Sequence, residues 1–303
     1  LCGKNQASLL SPAFLVDVSV GSVLALVMFG VGLSLTFSDF MRVIRHPRAF
    51  FASLTVQMLA LPAIAFAIAI MAPIPAALKV GFIILSASPG GATSGFLTYL
   101  WRGNVALSLS LTAVNSVLTL FSIPVVVNLG LLVFMDKSTD LHLPFWDTVG
   151  HIFFITIIPA FGGVLLRKLR PAFAERINKP AKYVMLTLLA VVFAVKLFGN
   201  ESVGGTGLKA SDIWVILPVG IAQNIACLLT GYFTLKKIGA PHPSRLTAAM
   251  ESGVQNTTLA FLIAGNLLGN ADMVKPALIY SMFSFWTACT FAWLSNRAAG
   301  VRG

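Results

Sequence analysis

Only ten of the 303 residues are Asp or Glu, and charged residues of both signs make up 10% of the chain. A soluble domain carries about 25% charged residues, so this chain cannot clothe a water-facing surface. Histidine (four) and cysteine (three) are also scarce. Cys2, Cys227 and Cys289 have no disulfide or metal spacing, and the last two read as small apolar packing residues. His46, His142, His151 and His242 fall in loops or near segment ends, so no His/Cys set for a transition metal forms. No Ser/His/Asp, paired-carboxylate or His-Glu arrangement occurs inside the apolar runs. The chain is therefore not read as an enzyme.

What is abundant is apolar residue, 57% of the chain. It is arranged in runs near the roughly 20 residues that cross a bilayer. Nine such segments predict an all-α polytopic membrane protein: Val18–Phe37, Phe50–Met71, Val80–Trp101, Val105–Leu129, Thr148–Leu166, Tyr183–Phe198, Ile213–Leu235, Leu246–Leu268 and Ala277–Leu294. The chain begins at Leu1, and its first run lacks a basic n-region, which argues against a secretory signal. Whether a further helix precedes Leu1 stays open.

The net charge of +11 follows topology rather than nucleic-acid binding. Alternate gaps hold 15 of the 21 basic residues: Arg42, Arg45 and Arg48; Arg102; the run from Arg167 to Lys182; Lys236, Lys237 and Arg245; and Arg297 and Arg302. The other side holds Lys4, Lys79, Lys137, Lys196, Lys209 and Lys275. The positive-inside rule then puts the N-terminus outside and the C-terminus in the cytoplasm, in the plasma (bacterial inner) membrane. Lys196, near the outer end of its segment, is expected to snorkel.

Nine of the ten acids fall in loops or at segment edges; the exception is Glu251, in "AAMESGVQNTTLAF". At about 1.5 Å per residue it lies roughly 9 Å beyond Arg245. Intramembrane acids are costly and usually serve an ion or proton path. Its neighbours Ser252, Gly253, Gln255, Asn256, Thr257 and Thr258 form a polar run that apolar packing does not need.

Two segments look interrupted: the third at Ser88-Pro89-Gly90-Gly91 and the eighth at Glu251-Ser252-Gly253. Each is the middle member of a set of three, segments 2–4 and 7–9, which start on opposite sides of the membrane. Gln57 in segment 2 and Gln223-Asn224 in segment 7 also correspond. Inverted repeats with broken helices in matching places point to a secondary-transporter binding site. On segment 4, Ser108, Thr112 and Asn115 are spaced i, i+4, i+7 and share one face. With Gln57, Glu251 and Gln255 they offer hard oxygen ligands and one negative charge, which suits Na⁺. The breaks create helix N-termini around Ala92–Ser94 and Gln255–Thr257, where free N–H groups favour an anion.

Three stretches, "MFGVGLSLTFSDF" (28–40), "SPGGATSGFLTYLWRGNVALSLSLT" (88–112) and "MESGVQNTTLA" (250–260), resemble the bile acid:sodium symporter family, and the likeness extends over essentially the whole chain. That family includes the liver and ileal bile-acid carriers and bacterial homologues. The resemblance implies a core domain of two crossing broken helices (residues 50–135 and 212–297) and a panel domain (14–37 and 145–199). It also implies Na⁺-coupled uptake of an organic anion by alternating access. Carried over by position, one Na⁺ site uses Ser94, Ser108, Thr112 and Glu251. The second uses Gln57, Glu251, Gln255 and backbone carbonyls near Ser252 and Val254. Substrate contacts are expected at Ala92, Thr93, Ser94, Asn256 and Thr257, and at Thr287, where some bacterial relatives carry histidine.

This chain departs from the family pattern at Gly95, where the family's usual asparagine is missing and the first site loses a ligand. Asn115, one turn further along the segment 4 stripe, is expected to supply that oxygen; otherwise one ion binds rather than two. Ala92-Thr93 also reverses the order common in bacterial relatives. The expected function is Na⁺ symport of an organic anion, a bile-acid-like compound or a small carboxylate, by a monomer in the lipid bilayer. The alternative is a proton-coupled or export carrier in which Glu251 titrates.

Overall fold

The computed structural model of the chain describes residues 12–34, 47–135, 141–199 and 205–300. Within these residues every regular element is a helix, and the described part of each expected apolar run is mostly helical. Cys2, Lys4, Asp39, Arg42, Arg45, His46, Asp136, Lys137, Asp140, Glu201 and Arg302 lie outside the described residues.

Helix α1 spans Pro12–Ser34 and α2 spans Pro47–Met71. The third run is split into α3, Ala76–Ser86, and α4, Ala92–Leu100. Helices α5 (Val105–Phe134), α6 (Phe145–Leu169), α7 (Pro171–Phe198) and α8 (Ala210–Lys237) follow. The eighth run is split into α9, His242–Gly253, and α10, Thr257–Phe261, which continues as a π-helical stretch, Leu262–Leu267. Helix α11 is Ala271–Ala298. Five of these (α2, α5, α6, α8 and α11) are long and apolar enough to cross a membrane. Their outer surfaces agree: Leu59, Leu132, Phe154 and Trp286 are each about two-thirds exposed. An apolar surface that broad belongs against lipid rather than water.

The sequence from 171 to 182, read as a basic cytoplasmic loop, is instead the first three turns of α7. Pro171 at the first position is pre-organised for a helix start, and the Ala, Glu, Arg and Lys that follow are good helix formers. Two other irregularities also trace to proline. Helices α2 and α6 each contain one π turn, Val56–Ala60 and Phe153–Ile157, placed just before Pro62 and Pro159. A proline ring collides with the carbonyl four residues back, here Met58 and Ile155, and widening the preceding turn makes room. Gln57 and Thr156 sit on these turns and are buried.

Close approach of helix backbones depends on glycine. A Cβ on Gly163 of α6 would strike the Phe29 carbonyl and would lie 2.7 Å from the Leu33 amide of α1. One on Gly231 of α8 would strike the Ala248 carbonyl of α9 and meet the Ser252 hydroxyl at 2.7 Å. This small-residue packing is the means by which helices associate in lipid, where apolar surface alone gives no drive. At the helix ends, Arg167 donates to the Leu33 carbonyl at 2.6 Å, tying α6 to α1. Lys275 pairs with Asp212 at 3.0 Å and Asp272 at 2.6 Å, tying α11 to α8.

Gly163→Ala is expected to destabilise the protein by about 1–3 kcal/mol through overpacking. Gly150→Ala, which adds a methyl where nothing lies within 4 Å, is expected to be neutral or to stabilise by up to about 1 kcal/mol. Thermal unfolding in detergent reads both.

Candidate functional site

The site begins with two helix ends that the sequence forces to stop. Pro89 has no N–H and cannot continue α3. Two carbonyls of its last turn accept from hydroxyls: Ser86 Oγ donates to that of Ile83 at 2.8 Å, which also accepts from the Ala87 amide, and Ser88 Oγ to that of Ile84 at 2.9 Å. After α9, the Gly253 carbonyl accepts from Tyr280 Oη at 2.6 Å and Asn224 Nδ2 at 2.8 Å. The Ser252 carbonyl accepts from Gln255 Nε2 at 2.8 Å. Broken backbone inside a membrane is tolerated only when protein or water satisfies it in this way.

The two breaks touch. The Asn256 amide donates to the Ser88 carbonyl at 2.9 Å. A Cβ on Gly90 would lie 2.9 Å from the Val254 carbonyl and 3.0 Å from that of Glu251, so only glycine lets the strands of chain meet. Asn256 and Asn104 each cap the next helix through Oδ1, accepting from Leu259 N and Leu107 N at 3.1 Å.

Glu251 is completely buried beside this contact. Its Oε1 accepts from Ser108 Oγ of α5 at 2.5 Å and stands 2.9 Å from Ser94 Oγ of α4; the Thr112 hydroxyl also reaches the carboxylate. The other carboxylate oxygen, Oε2, has no hydrogen-bond partner among the described residues, and neither do Ser252 Oγ, Gln255 Oε1 and Asn115 Oδ1. Each buried unsatisfied polar atom costs about 1–3 kcal/mol, and more when it is charged. Four such oxygens on elements meeting at the crossing are what a small hard cation would satisfy. Among the described residues no cluster of His, Cys and acidic side chains offers a transition-metal site.

The expected ligands are therefore brought together, with one reassignment. A Cβ on Gly95 would face Ser108 Oγ at 3.5 Å, so this position points at the residues expected to form the first site and offers them no side chain. Asn115 turns elsewhere: its Nδ2 donates to Gln57 Oε1, on the π turn of α2. Gln255 Oε1 and Asn115 Oδ1 thus keep no hydrogen-bond partner among the described residues, while the Ser94 and Ser108 hydroxyls of the first set are engaged with Glu251.

A narrow cleft lies beside the crossing, lined by Gly90, Gly91 and Asn256 of the breaks, by Thr112 and Asn115, and by Met28 of α1. Asn256 Nδ2 is 3.6 Å from where a Cβ on Gly91 would stand. Helix α4 starts at Ala92 next to this wall; Thr93 is exposed and Thr257 is half-buried at the start of α10. Thr287 is not in the lining; it donates to Asn224 Oδ1 at 2.6 Å and so braces the second break. Sequence reading missed Ser116, Thr119 and Thr156, which complete the cleft. Thr119 continues the stripe of Ser108, Thr112 and Asn115 by one further step of four. Thr156 carries no such signal, because only the packing of α6 brings it here.

Residues 22–204, more than half of the chain, match the profile of the Sodium Bile acid symporter family. A protein of Oryza sativa subsp. japonica named probable sodium/metabolite cotransporter BASS2, chloroplastic, is 30% identical over 260 residues, covering 84% of this chain and 58% of that protein. The uncharacterized sodium-dependent transporter YocS of Bacillus subtilis is 28% identical over 87% of this chain and 77% of its own length. The ileal sodium/bile acid cotransporter of Oryctolagus cuniculus is 27% identical over 89% of this chain and 76% of its own length. With its long apolar helices and this match, the chain belongs to the Sodium Bile acid symporter family of multi-pass membrane transporters.

Proposed function

We propose that the chain is a secondary transporter that couples inward movement of Na⁺ to uptake of an organic anion. The observation that carries this reading is the buried Glu251 carboxylate, set at the contact of two helix breaks among oxygens that lack hydrogen-bond partners. Na⁺ is a co-substrate here. Its charge offsets that of Glu251, and its coordination draws α9 toward α4, α5 and the π turn of α2.

Ion binding and anion binding meet at the same backbone. Asn256 Nδ2 and the first amides of α4 give the anion donors and a favourable helix dipole, and the breaks that bear them are held by the groups around the ion. Residues 50–135 and 212–297 form the inverted-repeat core in this reading, and 14–37 with 145–199 the panel. The cleft lies between core and panel. On its outer side the two bodies share a broad apolar contact, including Val20, Val23 and Leu24 with Leu259, Phe261 and Leu262. On the inner side, among the described residues, they meet in a small patch of Val31, Leu109, Ala113 and Val164. The orientation is N-terminus out, C-terminus cytoplasmic, in the plasma membrane.

Between the two ion positions, the side with unsatisfied oxygens is the stronger. Gln255→Ala or Gln57→Ala is expected to raise the Na⁺ concentration for half-maximal uptake by about tenfold or more, the loss of one charge–dipole contact. Ser108→Ala is expected to change it less. Asn115→Ala is expected to act with the Gln57 pair, its effect not adding to that of Gln57→Ala. Gly95→Asn, which returns a ligand to the first position, is expected to raise the Hill coefficient for Na⁺.

Glu251→Ala in proteoliposomes is expected to abolish Na⁺-driven accumulation of organic anions. Undiminished accumulation in that variant would defeat the reading. Wild-type uptake that persists with choline replacing Na⁺ at clamped pH would transfer the coupling role to protons at Glu251.

A further inference from the structure

The oxygens that Ser94, Ser108 and Glu251 bring together have a second polar layer beneath them. Each of the three has a polar residue four positions nearer the end of the core where α4 stops and α5 and α9 start. These are Thr98 on α4, Asn104 at the cap of α5 and Thr247 on α9. Four residues are about one helical turn, roughly 6 Å, and side chains at that spacing lie one above the other. The three steps run the same way in space, because α4 descends to that end while α5 and α9 rise from it. Thr98 and Thr247 are completely buried, as the layer above them is. The turn between α4 and α5 closes over them: Gly103 N donates to the Thr98 carbonyl at 2.7 Å and Asn104 N to Thr247 Oγ1 at 2.8 Å. A Cβ on Gly103 would stand 2.8 Å from Thr247 Oγ1 and 2.9 Å from Thr98 Cγ2, so both threonines crowd one point of the turn and only glycine fits there.

Hydrogen bonding leaves this layer with lone pairs to spare. Thr247 Oγ1 gives its one proton to the Pro243 carbonyl at 2.9 Å and accepts the Asn104 amide, which leaves it one lone pair. The Asn104 carbonyl lies 3.3 Å from Thr247 Oγ1 and accepts the Ser108 amide at 3.1 Å. Thr98 Oγ1 has no hydrogen-bond partner among the described residues. These are hard oxygen ligands of the kind a small cation takes. None carries a charge, so they hold a cation less firmly than the Glu251 carboxylate does. We infer that Thr98, Thr247 and the Asn104 carbonyl form a transit site for Na⁺, one turn inward of Glu251, on the ion's way between its first position and the cytoplasm. This rests on the Na⁺ reading above and adds the step by which the ion leaves. An ion passing straight from Glu251 to bulk water gives up every protein ligand at once. A weak oxygen site one turn away divides that exchange into two stages, and such a path works only where each stop lets the ion go again.

A stepping stone speeds passage in both directions and leaves the affinity of the end site alone. The test follows radioactive Na⁺ leaving the purified, immobilised protein when the buffer is switched rapidly to choline, with the equilibrium Kd measured in parallel. Thr98→Val keeps the side-chain shape and removes a hydroxyl that has no partner among the described residues, so its Tm should hold or rise. Loss and binding of Na⁺ should each slow by about tenfold, the worth of one contact between an ion and a neutral oxygen, and Kd should stay unchanged. Thr98→Ser should restore both rates. In the wild type, unlabelled Na⁺ in place of choline should slow the loss of label, because an incoming ion occupies the layer and blocks the way out. Loss of label that is indifferent to unlabelled Na⁺, or equal rates in Thr98→Val and wild type, overturns the inference, and the layer then holds water alone. A raised Kd with unchanged association overturns it as well, since Thr98 would then support the Glu251 site rather than the path. Those results leave the Na⁺ reading standing as long as Glu251→Ala abolishes binding of the label. Binding that survives Glu251→Ala sinks that reading and this inference together.

Discussion

One backbone hydrogen bond, from the Asn256 amide to the Ser88 carbonyl, joins two helix breaks at the centre of this protein. The remaining structure can be understood as what makes that contact possible. A break in lipid needs a partner for every freed N–H and C=O, and here each break supplies part of what the other lacks. Gly90 removes the side chain that would hold them apart. Asn224, Tyr280 and Thr287 form a chain of hydrogen bonds that holds the second break from behind. Once the breaks meet, Glu251 falls within reach of Ser94 and Ser108, and a carboxylate that would be prohibitive in a plain transmembrane helix acquires partners.

Proline acts in two ways in this chain. At Pro89 it ends a helix. At Pro62 and Pro159 the helix survives by widening one turn before the ring, and that turn carries a buried polar side chain in each case. Gln57 meets Asn115 from one π turn, and Thr156 faces the cleft from the other. The structural cost of the proline is thus also the device that aims the residue. Pro124, Pro180, Pro218 and Pro276 lie within α-helices and show that position, more than the presence of proline, decides which outcome occurs.

The apolar contacts around the cleft are unequal, and glycine sets where the helices are rigidly joined. Gly32 and Gly163 bring α1 and α6 into backbone contact, and Gly231 does the same for α8 and α9. Close-packed pairs of this kind share backbone contact, whereas Val31, Leu109, Ala113 and Val164 meet through side chains in a small cluster.

The sequence by itself determined the membrane class, the positions of the breaks and the lone buried acid. These follow from local rules: bilayer thickness fixes the length of apolar runs, proline and glycine end helices, and a carboxylate amid such a run has few roles. The stripe of Ser108, Thr112 and Asn115 was legible for the same reason, since helical period alone puts those residues on one face. Only the tertiary structure decided which groups those residues meet. Asn115 turned to Gln57 rather than toward the gap at Gly95, and Thr287 turned to Asn224 rather than to the cleft, because side-chain partners come from helices far apart in the chain. Thr156 was invisible in the sequence because nothing in its own segment marks it. Its place at the cleft is set by a widened turn and by the packing of α6 against α1 and α5, and those are properties of the assembled helices.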